Sequence, residues 1–407
     1  MIDARPVCLA ALLATLIVRP EPISAQADST IAIGVQRTLH SDILNEDREL
    51  WIHTPAGYDP AGTARYPVLY LLDGPGHFHH ASGVLEFLAA QNRMPPMIVV
   101  AVENTDRTRD LTPPTRDTSA QFRTAGGASA FLRFLRDELR PWIERQYRSE
   151  AYTVLVGHSF GGLFATQVLI EDPEAFGAYI SISPSLWWDG ERLLGQADSI
   201  FVRHPNLRGA LYMTMGNEGG PMLAGAWGFT RVLEVRAPES FRWKWTHMPA
   251  EDHGSIPHRS LYDGLEWLFE GWQLPNLPAL VAERGGDVIQ VLEAHYADLS
   301  EQFGFTVRPL EGQVNQIGYV LLRQDSVAAA IRVFERNVEL YPESANVYDS
   351  LGDAYDAACR LVEARANYER AVRRATETSN PVLPTYQANL TRVTAKLAEG
   401  AACTVTR

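Results

Sequence analysis

The feature that most restricts the fold is a set of short, almost purely apolar runs. They read VLYLL at residues 68–72, MIVVAV at 97–102, YTVLVG at 152–157 and AYISIS at 178–183. Each is too short for a helix and rich in β-branched or aromatic residues, so each reads as a strand. A strand that is apolar at successive positions must be buried on both faces, which is the condition of a parallel sheet covered by helices. Eight strand candidates follow in order, at 31–39, 48–54, 67–73, 97–103, 152–157, 178–183, 210–216 and 242–248. Helical periodicity lies between them at 83–93, 128–147, 160–171, 223–235 and 258–271. Strands alternating with helices imply βαβ units and a doubly wound, mostly parallel α/β sheet. The first two strands have no helix between them and are expected to form an antiparallel hairpin at one sheet edge.

The pattern changes after Trp272. Pro275 and Pro278 punctuate QLPNLPAL, and everything beyond is helical in character. Tyr348, Leu351, Gly352, Tyr355, Ala364, Tyr368 and Ala371 occupy the offsets of a 34-residue tetratricopeptide unit. The positions 34 earlier are Val314, Ile317, Gly318, Leu321, Ala330, Phe334 and Asn337, of which only Asn337 does not fit. Small residues let paired helices approach and large ones fill the groove between them. The expected organisation is 1–27 signal peptide, 28–273 catalytic domain, 274–310 linker and helical connection, and 311–400 small all-α tetratricopeptide-like repeats.

The signal assignment rests on VCLAALLATLIV, residues 7–18, an apolar run of 12 that follows Arg5 and precedes Ala25-Gln26-Ala27. Such a run is too short to span a bilayer and suits an export signal. Export, to the periplasm or the medium, is therefore expected. Of 407 residues only three are cysteine, which excludes a disulfide framework; Cys359 and Cys403 remain after cleavage, either paired or as free thiols. A formal net charge of −13 disfavours nucleic acid and anionic lipid surfaces as partners.

Gly157-His158-Ser159-Phe160-Gly161 matches G-x-S-x-G. By composition alone this arises in roughly one chain of this length in eight, so the pattern is weak by itself and its context decides. A buried strand precedes it and an amphipathic helix follows, which is the strand–turn–helix setting of a nucleophile elbow. A serine there needs a base, supplied downstream in the order serine, acid, histidine. His253 sits in the loop after the last strand, whereas His258 falls in the following helix and His247 in the strand. Glu218 follows the seventh strand, 253 − 218 = 35 residues before the histidine. Asp252, Glu251 and Asp189 are its rivals. The first oxyanion donor is expected at the Phe160 amide. The second is expected from the loop LLDGPGHFHH, at Gly76 or a neighbour, because Pro75 has no N–H.

These segments carry a resemblance. RELWIHTPAGY, YPVLYLLDG, RTRDLTPPT, VLVGHSFGGLFA, ISPSLWWD and EDHGSIPHRSLYDGLEWLFEGW resemble the putative-esterase (esterase D) family of α/β-hydrolases, which includes bacterial siderophore esterases and, more distantly, mycolyltransferases. The resemblance implies a Ser–Asp/Glu–His triad with no metal and no organic cofactor. Ser159 and His253 match it, and Glu218 matches the acid position of the mycolyltransferase relatives. Relatives often take an oxyanion amide from the residue after LLDG; here that residue is Pro75, and the match fails at that point.

Further residues have competing readings. Trp187 and Trp188 either wall a substrate pocket or pack the core. Arg109 either orders a proline-rich loop together with Asp110 or binds a substrate carboxylate. His77, His79 and His80 lack a carboxylate at ligand spacing, so an active-site rim is preferred to a metal site. The functional expectation is an exported serine hydrolase acting on a small-molecule carboxylic ester. The alternatives are an acyltransferase with the same triad, and an interaction protein in which the helical repeats, binding a partner or a second copy, are primary.

Overall fold

The computed structural model describes residues 31–274 and 276–399. The expected signal segment, residues 1–27, together with Pro275 and Cys403, lies outside the described residues; Cys359 is disulfide-bonded. Eight strands form one sheet: β1 Val35–Ser41, β2 Glu46–His53, β3 Tyr66–Leu71, β4 Ile98–Val102, β5 Ser149–His158, β6 Ala178–Ile182, β7 Gly209–Met215 and β8 Phe241–His247. Their spatial order is β1-β2-β4-β3-β5-β6-β7-β8. β1 pairs antiparallel with β2 alone, and β2 pairs antiparallel with β4. All other pairs are parallel. The expected edge hairpin is therefore present.

The helices within this region are α1 Gly74–Ala90, α2 Arg107–Leu111, α3 Ala128–Arg133, α4 Arg140–Gln146, α5 Phe160–Glu171, the one-turn piece α6 Trp188–Glu191, α7 Leu194–Arg203, α8 Gly220–Arg236 and α9 Ile256–Leu268. Two differ from the sequence expectation in an informative way. α1 begins nine residues before 83, because Pro75 serves the first helical turn, where its missing N–H and fixed φ are no handicap. The expected helix at 128–147 is interrupted by a π-turn over Phe134–Leu139. Pro141 opens α4 there and removes one i→i−4 donor. α7 was not anticipated.

The strands carry two cores, one on each face, as side-chain alternation requires. Leu69, Leu71, Val99, Ala101, Val156 and Ile180 face α1 and α9. Val68, Tyr70, Leu72, Val100, Leu155 and Leu211 face α5 and the helices around it. Every residue of β4 and β6 is buried.

Beyond α9 come α10 Leu277–Arg284, α11 Val288–Phe303, α12 Glu311–Arg323, α13 Val327–Leu340, α14 Ala345–Ala357, α15 Leu361–Glu377 and α16 Leu383–Ala398. They continue the first core without a break. Phe303 of α11 meets Tyr152, Phe269 and Trp272 at ring separations of 5.2, 5.1 and 5.8 Å. The 34-residue offset recurs as a contact in space. A methyl group on Gly318 would lie 2.4 Å from the Phe334 ring, and one on Gly352 would lie 2.7 Å from the Tyr368 ring. Asn337, which breaks the sequence pattern, is fully buried and donates to the Glu311 carbonyl at 3.2 Å.

Gly318→Ala and Gly352→Ala each force a buried ring aside. Each is expected to destabilise the helical region by about 1–3 kcal/mol, read as a lower urea midpoint. An unchanged midpoint in both would contradict this packing.

Candidate active site

The end of β5 turns abruptly into α5. Ser159, between them, has φ 61° and ψ −113°, a conformation that L-residues rarely adopt. The turn is held by backbone bonds: the Ser159 amide donates to the Ile182 carbonyl at 2.9 Å, and its carbonyl accepts from Leu163 at 2.9 Å and Ser185 at 3.2 Å. The turn is also too tight for a side chain at Gly157, where a Cβ would lie 2.1 Å from the Gly161 carbonyl oxygen. The Ser159 hydroxyl stands at the start of α5, 3.5 Å from the Ser185 hydroxyl. The Phe160 amide has no acceptor among the described residues. It is one of the free donors of a helix N-terminus, where the dipole favours negative charge.

Glu218 and His253 come from the ends of the neighbouring strands β7 and β8. Glu218 Oε1 accepts a hydrogen bond from His253 Nδ1 at 2.6 Å. The loops that carry them are tied together by the Asn217 amide donating to the Glu251 carbonyl at 2.8 Å. A side chain on Gly216 would prevent this, since its Cβ would meet Glu218 Oε2 at 2.6 Å and the Glu251 oxygen at 2.7 Å. Burial pushes the Glu218 carboxyl up, but its bonds from His253 and its own amide hold it below the ordinary carboxylate value. The other acids are occupied elsewhere. Asp252 accepts from the Gly254 and Ser255 amides, Glu251 from the Ser255 hydroxyl, and Asp189 from the Arg116 amide. His258 lies in α9, and His247 Nε2 is 3.1 Å from the Gly216 carbonyl oxygen.

The His253 ring lies 4.4 Å from the ring of His158, the residue before Ser159. His253 therefore stands against the residue that precedes Ser159, although no hydrogen bond joins its ring to the Ser159 hydroxyl among the described residues. Such bonds are often loose before substrate binds.

The structure bears on three of the expectations. The Gly76 amide is not available to an oxyanion, because it donates to the Asp73 carbonyl at 3.1 Å in the first turn of α1. Arg109 does not face the site. Glu46 takes its two terminal nitrogens at 2.6 and 3.0 Å, and Asp110 takes Nε at 2.7 Å. Asp110 in turn pairs at 2.6 Å with Arg48, whose side chain is wholly buried. Arg109 therefore orders its loop. His77 is half-buried, with Nδ1 3.0 Å from His80 Nε2; His79 is exposed. Among the described residues no three His, Cys, Asp or Glu side chains are placed to hold a metal.

The cation that does reach the elbow is Arg107, which sequence reasoning missed. It grips Asp73 through Nε at 2.6 Å and Nη2 at 3.0 Å, donates to the His158 carbonyl at 3.1 Å, and lies 5.3 Å over the Phe160 ring. Its nearness to Arg109 in RTRDL was the only signal, and which of two arginines two residues apart reaches the elbow is not legible without the fold. Trp188 belongs to the core, 1% exposed with its N–H on the Pro113 carbonyl at 3.1 Å. Trp187 is half-buried and joins Phe160 and Phe122 as an aromatic wall beside Ser159. Phe122 was also missed, since it sits on an isolated turn over Ala120–Phe122.

Residues 41–239 match the family described as Putative esterase. The chain is 34% identical over 175 residues to the ferri-bacillibactin esterase BesA of Bacillus subtilis, covering 38% of this chain and 60% of that protein. It is 31% identical over 179 residues to the siderophore triacetylfusarinine C esterase of Aspergillus fumigatus, covering 41% of this chain and 57% of that protein. It thus spans less than two thirds of these curated relatives. Among solved structures it is similar to an IroE-like serine hydrolase from Shewanella oneidensis, with TM-score 0.65 and 30% identity over 75% of this chain and 99% of that one. An uncharacterised protein from Capnocytophaga ochracea, 17% identical with TM-score 0.63, shares the fold over 89% of this chain and 99% of its own. That last likeness reaches into the C-terminal helices. With 30% identity sustained across nearly all of a solved serine hydrolase, and a family match that runs from β1 to the loop before β8, the chain belongs to the Putative esterase family of α/β-hydrolases.

Proposed function

We propose that the protein is an exported serine esterase that cleaves carboxylic esters through an acyl-enzyme. The observation that carries this reading is the 2.6 Å bond from His253 Nδ1 to Glu218 Oε1, with the imidazole tilted against the ring of His158 at the elbow of Ser159. In the proposed cycle His253 Nε2 takes the Ser159 proton as Oγ attacks the ester carbonyl. Glu218 holds the tautomer with its proton on Nδ1 and stabilises the imidazolium that forms. The Phe160 amide donates to the tetrahedral oxyanion, and His253 then passes its proton to the departing alcohol. Water, activated by the same imidazole, attacks the acyl carbonyl and frees Ser159. Arg107 holds the strand-end carbonyl beneath the elbow and neutralises Asp73. The curated relatives are named as siderophore esterases, and this supports siderophore esters as the substrate class. Phe122, Phe160 and Trp187 supply an apolar wall for an aromatic or alkyl group of such a substrate.

Ser159→Ala is expected to lower hydrolysis of p-nitrophenyl butyrate at least about a thousandfold and to abolish labelling by a fluorophosphonate, with circular dichroism unchanged. Retained turnover in that variant ends the proposal. Ser159→Gly is expected to be equally inactive yet more stable than wild type by about 1 kcal/mol, because glycine adopts a φ of 61° without strain. A lower melting temperature for the glycine variant would contradict the strain argument.

The pH dependence follows from Glu218. A carboxyl held below its ordinary value of 4.5 keeps its charge above that value and loses it only as the pH falls further. Glu218 therefore stays charged above roughly pH 5 and adds nothing to the acid limb there, so log kcat/KM should fall with a slope no steeper than one. A slope of two in that window would show the carboxylate titrating there.

A further inference from the structure

Beneath His253 lies a group of imidazoles that the proposed cycle does not use. His158 ends β5, and its ring meets the His253 ring at 4.4 Å and 44°. His77, on α1, meets His158 edge-on at 5.9 Å and 90°. His77 is bonded in turn to His80 at 3.0 Å, and the His80 ring lies 5.3 Å from that of His258 on α9. His77, His80 and His158 line a cavity of about 10 Å³, room for a single water. His158 Nε2 and His80 Nδ1 are buried with no hydrogen-bond partner among the described residues.

The bond to Glu218 fixes one atom of the His253 ring and leaves the ring free to swing about that atom. Aiming Nε2 at Ser159 requires a second contact. We propose that His158 is a positioning residue for His253: its imidazole is the shelf on which the base rests, and the His77–His80 pair braces that shelf from below. This rests on the reading of His253 as the general base.

The shelf must also be uncharged, because a cation 4.4 Å away would oppose the imidazolium that forms during catalysis. The groups facing His158 are His253, His77, Asp73 on the β3–α1 turn and Arg107 on α2. Those facing His253 are Glu218, His158 and its neighbour Asp252. Burial first, then the nearness of His253 and His77, hold His158 down at about 4. Burial does the same to His80, also at about 4. The shelf is therefore neutral wherever the base can work.

The test compares pH profiles of kcat and KM for the full-length wild type, His158→Ala and His158→Phe. His158→Ala is expected to lower kcat about tenfold with KM within about twofold. It should also move the acid limb to higher pH by about half a pH unit as water reaches the exposed imidazolium face. His158→Phe, which restores a flat neutral ring, should return both readouts close to wild type. An alanine variant with wild-type kcat, or one that is slower with an unmoved acid limb, overturns the proposal. If thermal unfolding shows that His158→Ala does not fold, His77→Ala takes its place. It should move the acid limb in the same direction, and an unmoved limb overturns the brace. Absence of fluorophosphonate labelling in the wild type would instead sink the esterase reading itself.

Discussion

A parallel sheet buried on both faces delivers the carboxyl ends of its strands to one edge, and everything proposed for this molecule depends on that delivery. Ser159, Glu218 and His253 follow β5, β7 and β8, three strands of one parallel set. No local propensity brings them together. They meet because apolar strands such as Ile98–Val102 and Ala178–Ile182 exclude water from both faces and so leave a single stacking order.

That rigid frame also bears the strain at the elbow. A serine at φ 61° is unfavourable by on the order of 1–3 kcal/mol. It persists because its amide and carbonyl are bonded to Ile182, Leu163 and Ser185, and because Gly157, lacking a Cβ, lets the Gly161 backbone close against it. The result is a hydroxyl fixed at a helix N-terminus rather than free to rotate away from it.

The segment after β4 contributes indirectly. Arg48, buried on β2, reaches Asp110 and the Glu103 carbonyl, and Arg109 bridges Asp110 to Glu46. A network whose charges are paired and hydrogen-bonded at this depth specifies one loop geometry more than it adds stability. That geometry sets Arg107 against Asp73 and His158, and it brings Phe122 toward Phe160 and Trp187. The C-terminal helices extend the opposite core through Phe303 and Tyr152, so they are continuous with the sheet rather than tethered to it.

Sequence by itself determined the strands and the strand–turn–helix setting of Ser159, and it supplied the expected order of serine, acid and histidine, because each is a short-range pattern. Apolar runs, glycines flanking a serine and a histidine after the last strand are all read within a few residues. The 34-residue repeat was legible for the same reason, with Gly318 and Gly352 marking one contact twice. Tertiary structure alone decided which of two nearby arginines reaches the elbow, that Gly76 is consumed by the first turn of α1, that Trp188 is core while Trp187 is wall, and that His158, His77 and His80 cluster beside His253. Those outcomes turn on side-chain direction and on partners tens of residues away. Burial, charge pairing and ring contact are properties of the packed molecule, and a linear pattern carries no record of them.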